Sequence, residues 1–309
     1  MKPDRPTFRW SVRIARIAGV DVRVHATMLL LLGWVVLEHA RTGGMGLLGE
    51  GLLLIASVFG LVTLHEFGHV LMARRYGVRT RDVTLLPIGG VSNMEKLPER
   101  PREEIAVALA GPMVNVAIAA LLLLTLIAAQ LVVDVRVLQV VGGPFLAKLM
   151  VINLTLAGFN LLPAFPMDGG RVLRAVLQLK RDRVQATALA ARVGQVLAFA
   201  LGAAGLFVSP MLVVVAVFVW MGGQQELAAT VFSSRAVKLK VADAMVPVGA
   251  AAPGGLPMVE ASTPLAEAIE QMREEHASAA VVVDHGQIAG VLTAETVAER
   301  LAQEARVRA

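Results

Sequence analysis

The chain has 309 residues, 56% of them hydrophobic and 17% charged, with a mean hydropathy of +0.67 and a net charge of +5. An ordinary soluble domain has about 45–50% apolar and about 25% charged residues, so a soluble globule would need more charge to cover its surface, a disordered chain and a coiled coil are excluded, and an integral membrane protein is the first reading. The sequence contains no cysteine, which removes disulfides, thiolate metal ligands and cysteine catalysis.

Residues 1–25 are basic, with Lys2, Arg5, Arg9, Arg13, Arg16 and Arg23, and offer no apolar stretch with a cleavage site, so no removable signal peptide is expected. His25 follows the alternating Val22, Arg23 and Val24 and is read as an interfacial histidine without a catalytic role. A membrane-spanning helix needs about 20 mostly apolar residues. Six stretches meet or approach that length: 26–41, 47–73, 105–133, 145–166, 185–208 and 210–228. Glu38, His39 and Glu50 fall near the outer ends of spans and are read as solvated.

Basic residues gather on alternate connections. Arg74, Arg75, Arg79, Arg81, Lys96, Arg100 and Arg102 follow the second span, and Arg171, Arg174, Lys180, Arg181 and Arg183 follow the fourth. The intervening connections carry only Arg41 and Arg136. By the positive-inside rule both termini lie in the cytoplasm of a multi-pass cell-membrane protein. Nucleic-acid binding is not the explanation, because topology accounts for three basic clusters on one face. Beyond 237 the composition changes. Strands at 280–283 and 288–292, joined by Asp284, His285 and Gly286, alternate with amphipathic helices at 264–274 and 296–304. The expected fold is an all-α polytopic six-helix membrane bundle with a small cytoplasmic α/β module. Its divisions are a basic segment 1–25, a membrane domain 26–232, a linker 233–240 and the module 241–309.

The second span contains His65, Glu66, Phe67, Gly68 and His69. Four residues apart on a helix, the two imidazoles share a face and can bind one metal ion, and Glu66 then stands beside the open coordination position, where it can take a proton from water. Ionisable groups inside a span are costly, so their presence there points to function rather than to a polar packing cluster. A catalytic zinc needs a third protein ligand. Asp168 is the candidate, beside a helix break made by Pro163 and Pro166 and followed by Gly169 and Gly170. The alternative for Asp168 is a helix-end cap facing the cytoplasm; the histidine pair makes the ligand reading the preferred one.

With these residues in place, the chain resembles the site-2 protease family of intramembrane zinc metalloproteases, peptidase family M50, in the branch carrying a cystathionine-β-synthase-type (CBS) module. The resemblance rests on 19–32 (GVDVRVHATMLLLL), 65–69 (HEFGH), 89–94 (GGVSNM), 108–115 (ALAGPMVN) and 153–171 (NLTLAGFNLLPAFPMDGGR). It implies one zinc ion per chain on His65, His69 and Asp168, with Glu66 as general base. It also implies that Asn115 and Asn160 hold the substrate backbone or oxyanion, the alternative being interhelical hydrogen bonding. The implied substrate is a membrane protein cleaved in or near a transmembrane helix, releasing a cytoplasmic fragment as in regulated intramembrane proteolysis. Helical carbonyls are poorly accessible, so the substrate must unwind. Residues 83–94 (VTLLPIGGVSNM) either offer a strand edge for it or form a surface hairpin that only packs on the core.

In the tail, 241–247 (VADAMVP), 263–269 (TPLAEAI) and 290–293 (GVLT) resemble a single CBS motif. Such motifs pair to form an adenine-nucleotide cleft, so one copy implies a homodimer through this module. The ribose-contacting acid expected three residues after Thr293 is Thr296 here, which argues against nucleotide binding. His276 and His285 are read as surface residues. A catalytically silent membrane regulator or scaffold that keeps the fold is the alternative to an enzyme, and it is disfavoured because Glu66, His65, His69 and Asp168 are all present. A transporter would call for duplicated broken helices, and none is seen.

Overall fold

The computed structural model describes residues 10–42, 45–87, 89–94, 100–129, 145–237, 239–247, 255–275 and 277–307. The charges at Lys2, Arg5, Arg9, Lys96 and Arg136, the side chains of Glu38, His39 and Arg41, and His276 lie outside these residues. The chain forms two compact units, 1–182 with 189–223, and 183–188 with 224–309.

The first unit begins with strands. β1 (Ser11–Ile17) turns at Ala18 and Gly19, both at positive φ, into β2 (Val20–His25). Val20 and Val22 point inward while Asp21 and Arg23 are more exposed, the period-2 signature of a half-buried strand. α1 (Thr27–Thr42) and α2 (Met45–Arg75) then carry the chain to β3 (Thr80–Leu86), which pairs parallel to β2; β4 (Gly89–Met94) returns antiparallel to β3. The resulting order is β1-β2-β3-β4. Val20, Val22, Val83 and Leu85 pack on Met28, Phe67 and Val70, so the sheet sits against the half of α2 that holds the histidines.

This sheet corrects the all-α expectation for the membrane unit. Within the basic 1–25 segment residues 11–25 form a β-hairpin, and 83–94 falls on two strands whose outer member, β4, is an edge among the described residues. His25 closes β2, and its Nδ1 lies 2.9 Å from Thr27 Oγ1 at the start of α1.

α3 (Pro101–Ala128) starts earlier than expected, with Pro in its first turn and Glu103 and Glu104 near the positive end of the helix dipole. α4 (Phe145–Asn160) stops before Pro163, as the ring geometry of proline requires, and α5 (Asp168–Gln178) restarts after the break. α6 (Arg183–Gly205) and α7 (Pro210–Ala236) follow. Four of the described helices, Gly49–Arg75, Pro101–Ala128, Arg183–Gly205 and Pro210–Ala236, are long and apolar enough to cross a membrane. α1 and α4 have 16 residues each, or about 24 Å at about 1.5 Å per residue, short of a hydrocarbon core about 30 Å thick. Leu121, Leu124, Phe199, Val214 and Trp220 stand exposed on the long helices, and Phe207 in the turn between α6 and α7. So many large apolar side chains left exposed along long helices fit a lipid environment. Glu50, expected to be solvated, is exposed and also pairs at 2.7 Å with Lys148 of α4.

The second unit contains a 3-10 turn at Val241–Asp243, then β5 (Val246–Pro247), β6 (Met258–Glu260), α8 (Leu265–Glu274), β7 (Ala279–Asp284), β8 (Gln287–Thr293) and α9 (Ala294–Val307). Its sheet order is β5-β8-β7-β6, over a core of Val241, Val259, Leu265, Ala280, Val282, Leu292 and Leu301. His285 and Gly286, both at positive φ, make the hairpin turn between β7 and β8, and His285 is exposed. Thr293 Oγ1 accepts from the Thr296 amide at 3.2 Å, and Thr296 Oγ1 accepts from the Thr293 amide at 3.1 Å. This reciprocal capping box occupies Thr296 with starting α9.

Candidate metal centre

One turn of α2 separates His65 from His69, so their rings stack along one face, edge to face with centroids 4.8 Å apart. Their Nε2 atoms are 3.1 Å apart. Asp168, the first residue of α5, brings Oδ2 to 3.3 Å from His65 Nε2 and 3.2 Å from His69 Nε2. All three residues are buried. The break at 161–167 makes this approach feasible because α5 folds back tightly on it. A Cβ on Gly170 would lie 2.5 Å from the Ala164 carbonyl carbon, and one on Gly169 would lie 2.5 Å from that of Leu161.

Two observations show that the trio fits a cation. His69 Nδ1 donates to the Val107 carbonyl at 2.7 Å, and a carbonyl can only accept. In the neutral ring the Nε2 lone pair of His69 is therefore bare and faces a carboxylate oxygen 3.2 Å away, and two acceptors at that distance need positive charge between them, a metal ion or a proton. A carbonyl behind a ligating imidazole is also the usual outer-sphere arrangement. The second observation is Gly111 of α3. A Cβ there would collide with His69 Nε2 and lie 2.6 Å from His65 Nε2, so only glycine leaves the ligand atoms open.

Glu66 is half-buried beside this trio and is held by β4. Ser92 Oγ donates to Glu66 Oε2, and a Cβ on Gly90 would lie 2.6 Å from Glu66 Cγ. Asn115, on α3, is fully buried, and neither its amide nitrogen nor its oxygen has a partner among the described residues. Asn160 is half-buried at the end of α4 and takes no part in the hydrogen bonds of the trio.

Sequence reasoning misses several groups around the centre. Gly111, Gly90 and Ser92 lie within quoted motifs but carry no recognisable chemistry of their own. Asn153 of α4 is also fully buried, its Nδ2 donating to the Leu149 carbonyl at 2.9 Å. Arg174 belongs by chain position with the cytoplasmic charges, yet it is fully buried and bonds Glu104 of α3 through Nε at 2.9 Å and through Nη2, with its guanidinium 5.3 Å from the Phe165 ring centre. An arginine one and a half turns after Asp168, opposite an acid in the first turn of an apolar helix, is the available signal.

The family profile described as peptidase family M50 matches residues 53–141 and 131–201, and that of the CBS domain matches 254–303. A zinc metalloprotease of Methanocaldococcus jannaschii is 34% identical over 244 residues, covering 78% of this chain and 67% of the relative. Stage IV sporulation protein FB of Bacillus subtilis is 29% identical over 168 residues, covering 54% of this chain and 55% of that protein. Among solved structures, the site-2 protease from Methanocaldococcus jannaschii superposes with a TM-score of 0.52 at 36% identity, over 71% of this chain and 95% of that one.

Proposed function

We propose, starting from the fact that the chain belongs to peptidase family M50, the site-2 proteases, and carries a CBS domain, that it is an intramembrane zinc endopeptidase acting on a transmembrane segment of another protein. The observation that carries this reading is the approach of Asp168 Oδ2 to both histidine Nε2 atoms beside the clearance left by Gly111.

In this reading His65, His69 and Asp168 hold one zinc ion. When bound, the ion supplies Lewis-acid activation of water and of the scissile carbonyl. Glu66 accepts the proton of the attacking water and passes it to the leaving amine. Ser92 orients the Glu66 carboxylate by donating to one of its oxygens, which leaves the other free for the proton. Asn160 would bond the substrate backbone or oxyanion.

The substrate is a membrane helix that must unwind to expose a carbonyl. β4 supports a route for this, because it is a sheet edge and it touches the base. An unwound segment that adds to β4 as a further strand is laid beside Glu66. With both termini in the cytoplasm, the site lies towards the cytoplasmic end of α2 and cleavage releases a cytoplasmic fragment. The CBS module pairs with that of a second chain, and the use of Thr296 in a helix cap disfavours adenine-nucleotide binding.

The test is reconstitution of the purified chain with single-span substrates in liposomes, comparing wild type with Glu66→Gln. Cleavage by wild type alone, with equal zinc content in both proteins, supports the assignment. Equal cleavage by both removes Glu66 from the reaction.

A further inference from the structure

We propose that Asn115 is a positioning residue for the metal ligand His65, acting from behind the imidazole rather than on the substrate; this rests on the zinc reading of the trio. Each imidazole that ligates through Nε2 carries a proton on Nδ1 that needs an acceptor. His69 has one, the Val107 carbonyl at 2.7 Å. His65 Nδ1 is buried and has no partner among the described residues, and the same holds for both polar atoms of Asn115.

The packing of α2 on α3 brings these groups to the same level. His69 meets α3 at Val107, and His65 Nε2 lies 2.6 Å from the Cβ position of Gly111. One turn back along α2 is thus one turn forward along α3, so the helices run antiparallel. Asn115 is the next residue on that face of α3, one turn of about 6 Å beyond Gly111. His65 meets Asp168 through Nε2, which leaves Nδ1 as the ring nitrogen in need of an acceptor. No direct hydrogen bond joins the two side chains in the structure, so the proposed contact runs across one bridging water or follows a change of rotamer.

Burial sharpens the argument. Asn115 is 0% exposed, and leaving a buried amide without a partner is costly. Oδ1 accepting from His65 Nδ1–H removes two such orphans together. It also fixes the His65 tautomer so that the lone pair of Nε2 faces Asp168 and the metal.

The experiment measures zinc affinity by chelator competition on the detergent-purified full chain, together with kcat and KM. The variants are Asn115→Leu, which removes the acceptor at similar volume, and Asn115→Asp, which keeps it. Loss of an outer-sphere partner typically weakens metal binding about 10–100-fold. We expect that loss for Asn115→Leu, and wild-type affinity with retained kcat for Asn115→Asp. Wild-type affinity in Asn115→Leu with a collapsed kcat would overturn the proposal in favour of a substrate-contacting asparagine. Where Asn115→Leu does not fold, Asn115→Asp decides alone, because a carboxylate facing an oxyanion would abolish turnover with zinc retained. His69→Ala serves as the control: unchanged zinc affinity there would refute the metal centre itself, and a loss there shows that zinc affinity reports on this centre.

Discussion

Replacing Glu104 by Gln keeps the shape of the side chain and removes one charge from the Glu104–Arg174 pair. Both partners are buried, at 2% and 0% exposure, and Glu104 Oε1 accepts from Arg174 Nε at 2.9 Å and from Nη2. Breaking a buried ion pair by removing one of its charges costs about 3–5 kcal/mol, whereas replacing both partners by apolar groups is often neutral. The Phe165 ring beneath Arg174 offsets about 0.5–2 kcal/mol of cation–π energy at most, and the wild type has that contact too, so it does not rescue the variant. The unfolding equilibrium constant should therefore rise by about two to nearly four orders of magnitude. Titration of detergent-solubilised protein with a denaturing detergent, followed by circular dichroism, reads this directly. Arg174→Met added to Glu104→Gln should recover much of the loss in a double-mutant cycle. Because Arg174 lies on α5, whose first residue is Asp168, zinc affinity should fall in the single variant and return in the double. A Glu104→Gln protein within about 1 kcal/mol of wild type would refute a buried ion pair that ties α5 to α3.

Gly111→Ala should abolish zinc binding while the protein folds, since its methyl group would stand on the two Nε2 atoms; metal analysis of the purified variant checks this. Ser92→Ala should lower kcat about tenfold or more with zinc affinity unchanged, because a hydrogen bond to an ionised group is worth about 1.5–3 kcal/mol; steady-state kinetics with one fixed substrate reads the effect. Thr293→Ala should destabilise the second unit by about 1 kcal/mol through loss of the α9 cap, measurable as a lowered unfolding midpoint, and should leave zinc content untouched.

The helices are legible in the sequence because lipid is a strict solvent: long apolar runs mark the cores of α2, α3, α6 and α7, and Pro163 marks the end of α4. The module is legible through its alternating strands and the turn at His285 and Gly286. The β-sheet of the membrane unit is not. In 11–25 the Val–Arg alternation that makes strands is masked by its excess of positive charge, and pairing with a partner as distant as β3 leaves no local mark. The convergence of Asp168 on the histidines follows from the helix break and the glycines after it. The supporting parts are hidden for two reasons. Gly111 acts by having no side chain. Arg174 is a charge that topology rules assign to water, and only its burial against Glu104 and Phe165 distinguishes it from the exposed arginines nearby.

The central claim is that two helical imidazoles and one carboxylate hold a single zinc ion. Zinc bound per chain, measured by elemental analysis after equilibration with buffered zinc, tests it in wild type and in Asp168→Ala side by side. The account predicts about one zinc per chain in wild type and loss of that zinc in the variant. Full zinc occupancy in Asp168→Ala at the same free zinc concentration would contradict it.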